Sequence, residues 1–459
     1  MDVREAIHTQ PMKPFQIGAI AICIIIAMVD GYDILVMAFV APFLAKVWSI
    51  GPVQVGYLLS AGVFGAALGA VFVSPFADKV GRRRHTIICL LLITLGMAAS
   101  VVAQDIYQMI AARAFTGLWM GAVIASLNVI ASEFSSDKRR GTVMGIYGIG
   151  SPGGVAVGGT ITTALIDMGG WRAPLIFATV VSAAVLILVV VALPESIEFL
   201  VEKRPAWALE AYNKIGTKLG FEPATQLPPP RTTTVRKGAA AAIFSGLMLR
   251  RTVFLWLGFA SLIAAFYFAN TWTAKLISEA TGDANMGVRA GTLVAVGGVI
   301  GAFLFAALCL TMRPRLATAL IMFCGAASFV LYAHNFTAGG LALALAVAVG
   351  ACANGGVAAF FGISPSIYSA AVRATGVGLM IGFGRGVAII SPIFAGYMLS
   401  AGWTPAGVYQ LFAGLFIVAG IATLMLDLTY RGLSEDPETP DARASRDEKP
   451  VSIKPLASH

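Results

Sequence analysis

Long apolar stretches dominate this chain of 459 residues and restrict it to one structural class. Each is close to the ~20 residues that an α-helix needs to cross about 30 Å of hydrocarbon. Only 12% of the residues are charged, about half the share found in soluble globular proteins. We therefore expect an all-α membrane protein with twelve transmembrane helices. The stretches lie near residues 17–44, 54–76, 86–104, 106–132, 141–166, 172–193, 252–274, 288–311, 316–334, 338–363, 374–400 and 404–428.

One long polar segment, 194–250, divides the apolar stretches into two groups of six. This layout is typical of transporters built from two similar halves around a central path. Apolar residues recur at helical spacing over 206–218, which predicts a short helix on the membrane surface. The expected organisation is a short amino-terminal segment (1–16), a first half (17–193), a linker with a surface helix (194–250), a second half (251–430) and a disordered tail (431–459).

The net charge of +9 has a topological explanation that makes nucleic-acid binding unnecessary. Most of the 32 Lys and Arg residues fall in the two termini, the linker and every second loop. Positive residues concentrate on the cytoplasmic side of membrane proteins. We therefore expect a multi-pass protein with both termini in the cytoplasm. The five cysteines all lie within apolar stretches, so neither a metal site nor a cofactor is expected.

Two carboxylates, Asp30 and Asp33, interrupt the first apolar stretch. A charge at this depth costs several kcal/mol unless it is paired or protonated, and such residues mark proton or substrate paths. Being three residues apart, the two share one helix face. With about 1.5 Å of rise per residue, Asp30 and Arg113 both lie about 10 Å from the outer boundary, which predicts that they pair. The alternative is that both carboxylates form ion pairs of purely structural importance.

A second intramembrane cation, Arg385, lies about 18 Å beyond Arg373 along a helix, close to the middle of the bilayer. We expect no acid inside the apolar stretches of the second half to neutralise it. A guanidinium that faces a cavity favours a carboxylate ligand. Nearby aromatic and amide side chains are candidates for holding the rest of such a ligand, although packing would also explain them. They are Tyr32, Tyr267, Asn270, Trp272, Asn354, Phe360 and Phe361.

The loop between the second and third stretches places one acid among several bases, which predicts an ion-pair latch with a glycine at its turn. It reads Ser74-x-x-x-Asp78-Lys79-x-Gly81-Arg82-Arg83-Arg84. This pattern resembles the signature loop of the major facilitator superfamily, with Ser74 where glycine is usual. Its counterpart in the second half, near Arg313 and Arg315, lacks the acid, so no symmetric latch is expected there. The gating candidates are Asp78, Gly81, Arg82, Glu133, Arg140 and Arg373.

A narrower resemblance depends on Asp30-Gly31-Tyr32-Asp33 and on the segment from Arg373 to Arg385. These are similar to motifs of the aromatic acid:proton symporter family of bacterial inner-membrane proteins. The resemblance implies uptake of benzoate-, hydroxybenzoate- or aryloxyacetate-type acids. It also implies that Asp30 and Asp33 are the essential acidic pair, Asp78 the loop acid, and Arg113 and Arg385 the buried arginines.

These observations predict a monomeric, proton-coupled symporter of a small aromatic carboxylate that works by alternating access in the lipid bilayer. Two alternatives remain. Gly148-x-Gly150-x-x-Gly153 with Pro152 is similar to a motif of facilitator antiporters, which would export a drug or metabolite. A membrane receptor would bind aromatic acids without transport. An enzyme is not expected, because the sequence has no metal cluster, nucleophile elbow or nucleotide-binding loop.

Overall fold

The computed structural model describes residues 3–229, 243–244, 246–368 and 372–430. Within them the regular elements are helices, as lipid requires, because a helix satisfies all of its backbone polar groups internally. The first half contains α1 (Pro14–Val47), α2 (Pro52–Leu68), α3 (Arg82–Val102), α4 (Ile106–Glu133), α5 (Arg140–Gly169) and α6 (Ala173–Ala192). The second half contains α7 (Gly246–Thr281), α8 (Ala284–Thr311), α9 (Pro314–Ala333), α10 (Gly340–Ile367), α11 (Arg373–Ser400) and α12 (Pro405–Leu428).

Local sequence explains where several helices begin. Proline occupies an early position in α1, α2, α9 and α12, where its missing N–H costs no helical hydrogen bond. The Asp105 carboxylate accepts a hydrogen bond from the Gln108 backbone N–H (2.8 Å) at the start of α4. Thr404 caps α12 in the same way through Gly407. These caps satisfy backbone donors that have no partner within the helix.

Three of the shorter helices lie in the amino-terminal segment and the linker. The amino-terminal helix (Val3–Thr9) donates the Val3 N–H to the hydroxyl of Tyr212 (3.0 Å). The first linker helix (Ile197–Lys203) follows α6, and the second linker helix (Ala208–Lys218) matches the surface helix predicted over 206–218. The disordered tail predicted over 431–459 lies outside the described residues.

One of the twelve long helices differs from the others in composition. Eleven stretches of the described chain are long and apolar enough to cross a membrane, and the body of α5 does not qualify on its own. Its glycines, serine and proline lower its hydropathy, and they allow close contact with α1. A Cβ added at Gly154 would lie 1.9 Å from the Met28 carbonyl oxygen. The composition of α5 therefore reflects helix packing more than lipid exposure.

The two halves meet through α1 with α7, α2 with α11, and α5 with α8. We call the end of the bundle that carries the α2–α3 loop and the linker the linker end, and the other the opposite end. The hydrogen bonds described between the halves run from the level of Arg385 toward the opposite end. Beyond Arg385 they join Ser60 Oγ to the Ile389 carbonyl (2.8 Å), Tyr57 Oη to Tyr397 Oη (2.9 Å), and Asn285 Nδ2 to Asp167 Oδ1 (3.0 Å).

Two helix crossings repeat the same close approach in the two halves. A Cβ added at Gly121 of α4 would lie 2.0 Å from the Ala66 carbonyl oxygen of α2. A Cβ added at Gly301 of α8 would lie 2.0 Å from the Ala351 carbonyl oxygen of α10. Both neighbours are backbone atoms that a side-chain rotation cannot move. Glycine is thus a steric requirement at each crossing.

We therefore expect Gly121→Ala and Gly301→Ala each to lower the thermal unfolding temperature of the purified protein, because overpacking costs about 1–3 kcal/mol. Gly148→Ala is the matched control. That glycine lies in α5 with open space around its Cβ position, and removing a helical glycine normally stabilises. Equal behaviour of the three variants in a thermal denaturation series would contradict the packing explanation.

Candidate functional site

A buried ion pair joins α1 to α4 in the first half. Arg113 donates from Nη1 to Asp33 Oδ1 (2.7 Å) and from Nη2 to Asp33 Oδ2 (2.8 Å). Arg113 Nη2 also donates to the Asp33 backbone carbonyl (2.8 Å). Each residue is only 2% exposed. This two-pronged geometry is the strongest form of an arginine–carboxylate contact, and it neutralises both charges within the bundle.

The expected pairing of Arg113 with Asp30 is therefore wrong by one helical turn. The prediction counted the rise of an ideal helix from an assumed membrane boundary. Helix α1 has 34 residues, far more than the ~20 that cross the hydrocarbon, so its entry point is not fixed by sequence. Three residues correspond to about 4.5 Å along the axis, which such a count does not resolve.

Asp30 lies on the other side of this pair and faces a cavity between the halves. It is 5% exposed, and its Oδ1 accepts no hydrogen bond within the described part of the chain. The cavity has a volume of about 100 Å³ and is also lined by Asp33, Arg113, Tyr267 and Arg385. The structure thus brings together the two acids and two buried arginines that the sequence singled out.

Arg385 reaches this cavity from α11 and also contacts the opposite half. Its Nη1 donates to the Ala66 carbonyl of α2 (3.2 Å). Among the described residues it forms no ion pair, whereas both terminal nitrogens of Arg113 donate to Asp33. Arg385 is therefore the cation of the cavity that retains donors for a ligand. The Asp30 carboxylate lines the same cavity.

A second cavity of about 150 Å³ adjoins the first, because Ile34 and Tyr267 line both. Asn270 and Asn354 also line it. Each amide donates from Nδ2 to a carbonyl of its own helix, at 2.9 and 3.2 Å respectively. This leaves the amide oxygens as acceptors. The pair of cavities therefore offers a cation at one end, an aromatic ring in the middle and hydrogen-bond acceptors at the other end.

Four other predicted ligand-binding side chains lie away from these two cavities, which corrects the sequence prediction. The Tyr32 hydroxyl hydrogen-bonds Thr162 and the Pro174 carbonyl within the first half. Trp272 is fully buried and donates from Nε1 to the Pro392 carbonyl (3.1 Å).

The rings of Phe360 and Phe361 both pack against the ring of Phe259, with centroids 5.9 and 5.8 Å away. The sequence alone did not fix the rotation of each helix about its axis, so it did not separate cavity-lining aromatic side chains from packing ones.

Sequence analysis missed the contribution of α5 to the second cavity. Ser151 and Pro152 line it, and Gly31 lets α1 approach at that level. A Cβ added at Gly31 would lie 2.0 Å from the Ser151 carbonyl oxygen. The signal was present in the sequence, because Gly31 stands between two intramembrane acids, where a glycine destabilises the helix unless a close contact requires it.

The predicted latch forms a network at the linker end of the first half. Arg82 contacts Asp78 (3.4 Å) and also pairs with Glu133 of α4. The Ser196 hydroxyl donates to Glu133 Oε2 (2.7 Å), which ties in the linker. Gly81 has φ of 99°, a conformation that favours glycine. These residues belong to the first half and to the start of the linker, so this network does not bridge the halves.

Glu195 supports the same turn from the linker. Its Oε1 accepts hydrogen bonds from the Arg83 N–H (2.8 Å) and the Ser196 N–H (3.0 Å). Burial raises the pKa of the Glu195 carboxyl, and these backbone hydrogen bonds act against that rise.

The remaining gating candidates are more peripheral. Arg140 pairs with Asp137 (3.1 Å) at the first turn of α5. Arg373 is exposed at the start of α11 and forms no ion pair within the described residues. Neither joins the Arg82 network.

The second half has an ion pair that the sequence analysis did not expect. Arg315, fully buried at the start of α9, donates from Nε to Asp427 Oδ1 (3.1 Å) near the end of α12. The Tyr430 ring lies 3.9 Å from the Arg315 guanidinium and 3.6 Å from that of Arg251. Helix α12 thus supplies the acid that the loop near Arg313 lacks. Asp427 also corrects the expectation that no second-half helix contains a buried acid.

Comparison with known proteins agrees with this architecture. A family model described as Major Facilitator Superfamily matches residues 22–353. The chain is 28% identical to a gallate transporter of Pseudomonas putida (93% of this chain, 94% of the relative). It is 26% identical to a 4-hydroxybenzoate transporter of Pseudomonas aeruginosa (92% and 94%) and to a benzoate transport protein of Acinetobacter baylyi (100% and 99%).

Solved structures share the fold. A bacterial homologue of the lysosomal transporter Spinster, in an inward-facing conformation, superposes with a TM-score of 0.69 at 16% identity (94% of this chain, 100% of that chain). The xylose transporter XylE from E. coli, partially occluded and inward open, gives 0.67 at 15% identity (89% and 97%). With a family match over most of its length, the chain belongs to the Major Facilitator Superfamily and is a membrane transporter, not an enzyme.

Proposed function

We propose that this protein imports a small aromatic carboxylate together with protons by alternating access. The observation that carries the proposal is the shared cavity of Asp30 and Arg385, one carboxylate and one guanidinium without a described ion-pair partner of their own. Relatives that match nearly the whole chain are described as gallate, 4-hydroxybenzoate and benzoate transporters. Their names give the substrate class.

The two adjoining cavities suit the parts of such a substrate. The planar guanidinium of Arg385 binds a carboxylate through two parallel hydrogen bonds. The aromatic ring then lies beside Tyr267, which lines both cavities. Hydroxyl groups on the ring donate to the amide oxygens of Asn270 and Asn354. This arrangement favours a ring with polar substituents opposite its carboxylate.

Charge balance links the substrate to a proton. Asp33 and Arg113 neutralise each other, which leaves Asp30 and Arg385 as the second compensating pair in the cavity. When a substrate carboxylate occupies Arg385, the site gains one negative charge. A proton on Asp30 restores neutrality and avoids the cost of an uncompensated charge in the membrane. Substrate and proton therefore enter together.

The direction of transport follows from the charge distribution. The linker end carries the basic loops, and positive residues mark the cytoplasmic side, so we assign both termini to the cytoplasm of a bacterial inner membrane. The described contacts between the halves run toward the opposite end. The conformation therefore corresponds to release of substrate into the cytoplasm. The Asp78, Arg82 and Glu133 network re-forms or breaks as the linker end opens and closes.

The antiporter alternative has less support. In its α5 motif only Gly150 makes a close contact, since a Cβ added there would lie 3.0 Å from the Ala27 Cβ, whereas Gly148 and Gly153 have open space around them. The weight against it comes from relatives that match nearly the whole chain and are described as gallate, 4-hydroxybenzoate and benzoate transporters. The receptor alternative differs by predicting binding without flux. Transport measurements separate all three.

The main test is uptake of a labelled hydroxybenzoate into proteoliposomes with an imposed pH gradient. We expect Asp30→Asn to abolish accumulation against a concentration gradient yet to retain substrate exchange, because the neutral amide resembles the protonated acid. Wild-type uptake at the same rate with and without the pH gradient would overturn proton symport. Accumulation of substrate in the direction opposite to protons would identify an antiporter.

Arg385 tests the substrate site separately. Arg385→Ala removes the carboxylate partner and is expected to weaken binding by at least about tenfold, the effect of losing a charged hydrogen bond of about 1.5–3 kcal/mol. Arg385→Lys keeps the positive charge but lacks the planar guanidinium, so its affinity for the substrate is expected to lie between those of wild type and Arg385→Ala. The exposed Lys138→Ala serves as the control. Equal binding by wild type and Arg385→Ala in a calorimetric titration would place the carboxylate elsewhere.

Asp33 is expected to differ from Asp30 in its effect on stability. Asp33→Ala leaves Arg113 buried without a counter-charge, a change that typically costs about 3–5 kcal/mol. We expect a large drop in the thermal unfolding temperature, and partial recovery in the double variant with Arg113→Met. Asp30→Asn is expected to have little effect in the same measurement. A larger loss from Asp30→Asn than from Asp33→Ala would reverse the assigned roles.

A further inference from the structure

A basic cavity lies apart from the transport site, at the linker end of the first half. It has a volume of about 340 Å³. Its walls come from the start of α3, the end of α6 and the second linker helix, with one residue from α1. Nothing in the transport cycle proposed above uses it.

Its polar wall is positively charged. Arg84, Lys214 and Lys218 line it, and none forms an ion pair within the described residues. Arg83 also lines it but donates to the carbonyls of Leu193 and Val190 (2.8 and 2.6 Å), so it caps the end of α6. The acids of the cavity are Glu195, which accepts the backbone hydrogen bonds described above, and the exposed Glu210. Three cations therefore face Glu210, the one carboxylate of this cavity that accepts no backbone hydrogen bond among the described residues.

Two of these three cations lie over aromatic rings. The Arg84 guanidinium lies 4.4 Å from the centre of the Trp207 ring, and Lys218 Nζ lies 5.0 Å from that of Phe15. Lys214 and Lys218 are one turn apart on the second linker helix and share a face with Trp207. The opposite face of this helix is buried through Ala208, Tyr212 and Ile215. The cations are therefore fixed to a rigid element and point toward the cavity.

The apolar wall of the cavity continues into the lipid-facing surface of α6. Val191 lines the cavity and is 78% exposed, and Ile187 one turn earlier is 65% exposed. The stretch Ala164–Ala192 that contains them is among the least buried of the membrane-spanning stretches described. A molecule in the cavity thus has a cationic pocket at the membrane surface and an apolar track that runs into the bilayer.

We propose that this cavity binds an anionic phospholipid, with its phosphate between Arg84, Lys214 and Lys218 and an acyl chain along Val191 and Ile187. Basic pockets at helix ends on the charged side of a membrane bind such headgroups. The lipid joins α3, α6 and the second linker helix directly beside the Arg82 turn. It therefore stabilises the latch region of the first half. This inference is independent of the transported substrate.

The test uses the full-length purified protein in neutral detergent with added phosphatidylglycerol or phosphatidylcholine. We expect phosphatidylglycerol to raise the unfolding temperature of the wild-type protein by about 2–5 °C more than phosphatidylcholine does. In native mass spectrometry, one phosphatidylglycerol is expected to remain bound. Equal responses to the two lipids in the wild-type protein would overturn the proposal.

Charge-reversal variants locate the site. Lys214→Glu with Lys218→Glu is expected to lose at least about tenfold in affinity for phosphatidylglycerol, with an unchanged unfolding temperature in phosphatidylcholine because both lysines are exposed. Replacing both lysines with arginine is expected to retain binding. The control is Lys138→Glu with Lys203→Glu, which changes the charge of the same end by the same amount. An equal loss in that control would indicate general surface attraction and contradict a defined pocket.

Inorganic phosphate and glycerol phosphate distinguish a lipid from a soluble anion. If either raises the unfolding temperature as much as phosphatidylglycerol does, the site binds a free phosphate group and the lipid assignment is wrong. If neither has an effect at millimolar concentration, the acyl chain is required, as the exposed track on α6 predicts.

Discussion

The buried pair of Arg113 and Asp33 is the interaction on which the rest of the site depends. A guanidinium in the membrane interior requires a counter-charge, and the three hydrogen bonds to Asp33 supply it while fixing the register of α1 against α4. Because Arg113 is paired with Asp33, the Asp30 carboxylate one turn away has no counter-charge among the described residues of the first half. Its negative charge is balanced either by Arg385 of the other half or by a bound proton.

The two halves of the chain solve the same electrostatic problem with different residues. In the first half, Arg82 at the start of α3 pairs with Asp78 and Glu133, and the linker joins through Ser196. In the second half, Arg315 at the start of α9 pairs with Asp427 of α12. A basic residue begins the third helix of each half, but its acidic partner comes from a different element. The first-half network is half-exposed around Asp78, whereas Arg315 is fully buried. The second-half pair is therefore the more permanent of the two.

Sequence reasoning reached the architecture because the bilayer imposes it. Apolar length, the polar linker and the signature around Asp78 were enough to predict two six-helix halves of the major facilitator superfamily. Contacts between helices depended on tilt and rotation, which the sequence leaves open. The assignment of Arg113 to Asp30 missed by one turn for this reason, and the cavity side chains Tyr267, Asn270 and Asn354 were not separable from Trp272, Phe360 and Phe361.

The Arg315–Asp427 pair shows a further limit. Residues 112 positions apart along the chain meet there, and the acid lies in an apolar helix end that resembled a simple boundary. The loop near Arg313 that corresponds to the Asp78 loop contains no acid. Only the folded arrangement of α9 and α12 relates the two residues.

The hydrogen bonds between the halves near the opposite end are individually weak, and this lowers the energy needed to separate the halves there. Beyond Arg385 they consist of neutral contacts such as the paired hydroxyls of Tyr57 and Tyr397 and one amide–carboxylate bond between Asn285 and Asp167. Hydrogen bonds of this kind contribute about 0.5–1.5 kcal/mol each, and no ion pair crosses the halves within the described residues. In the proposed transport cycle, breaking these hydrogen bonds therefore costs only a few kcal/mol. A single charged ligand that binds the two proposed access states unequally supplies free energy of that size.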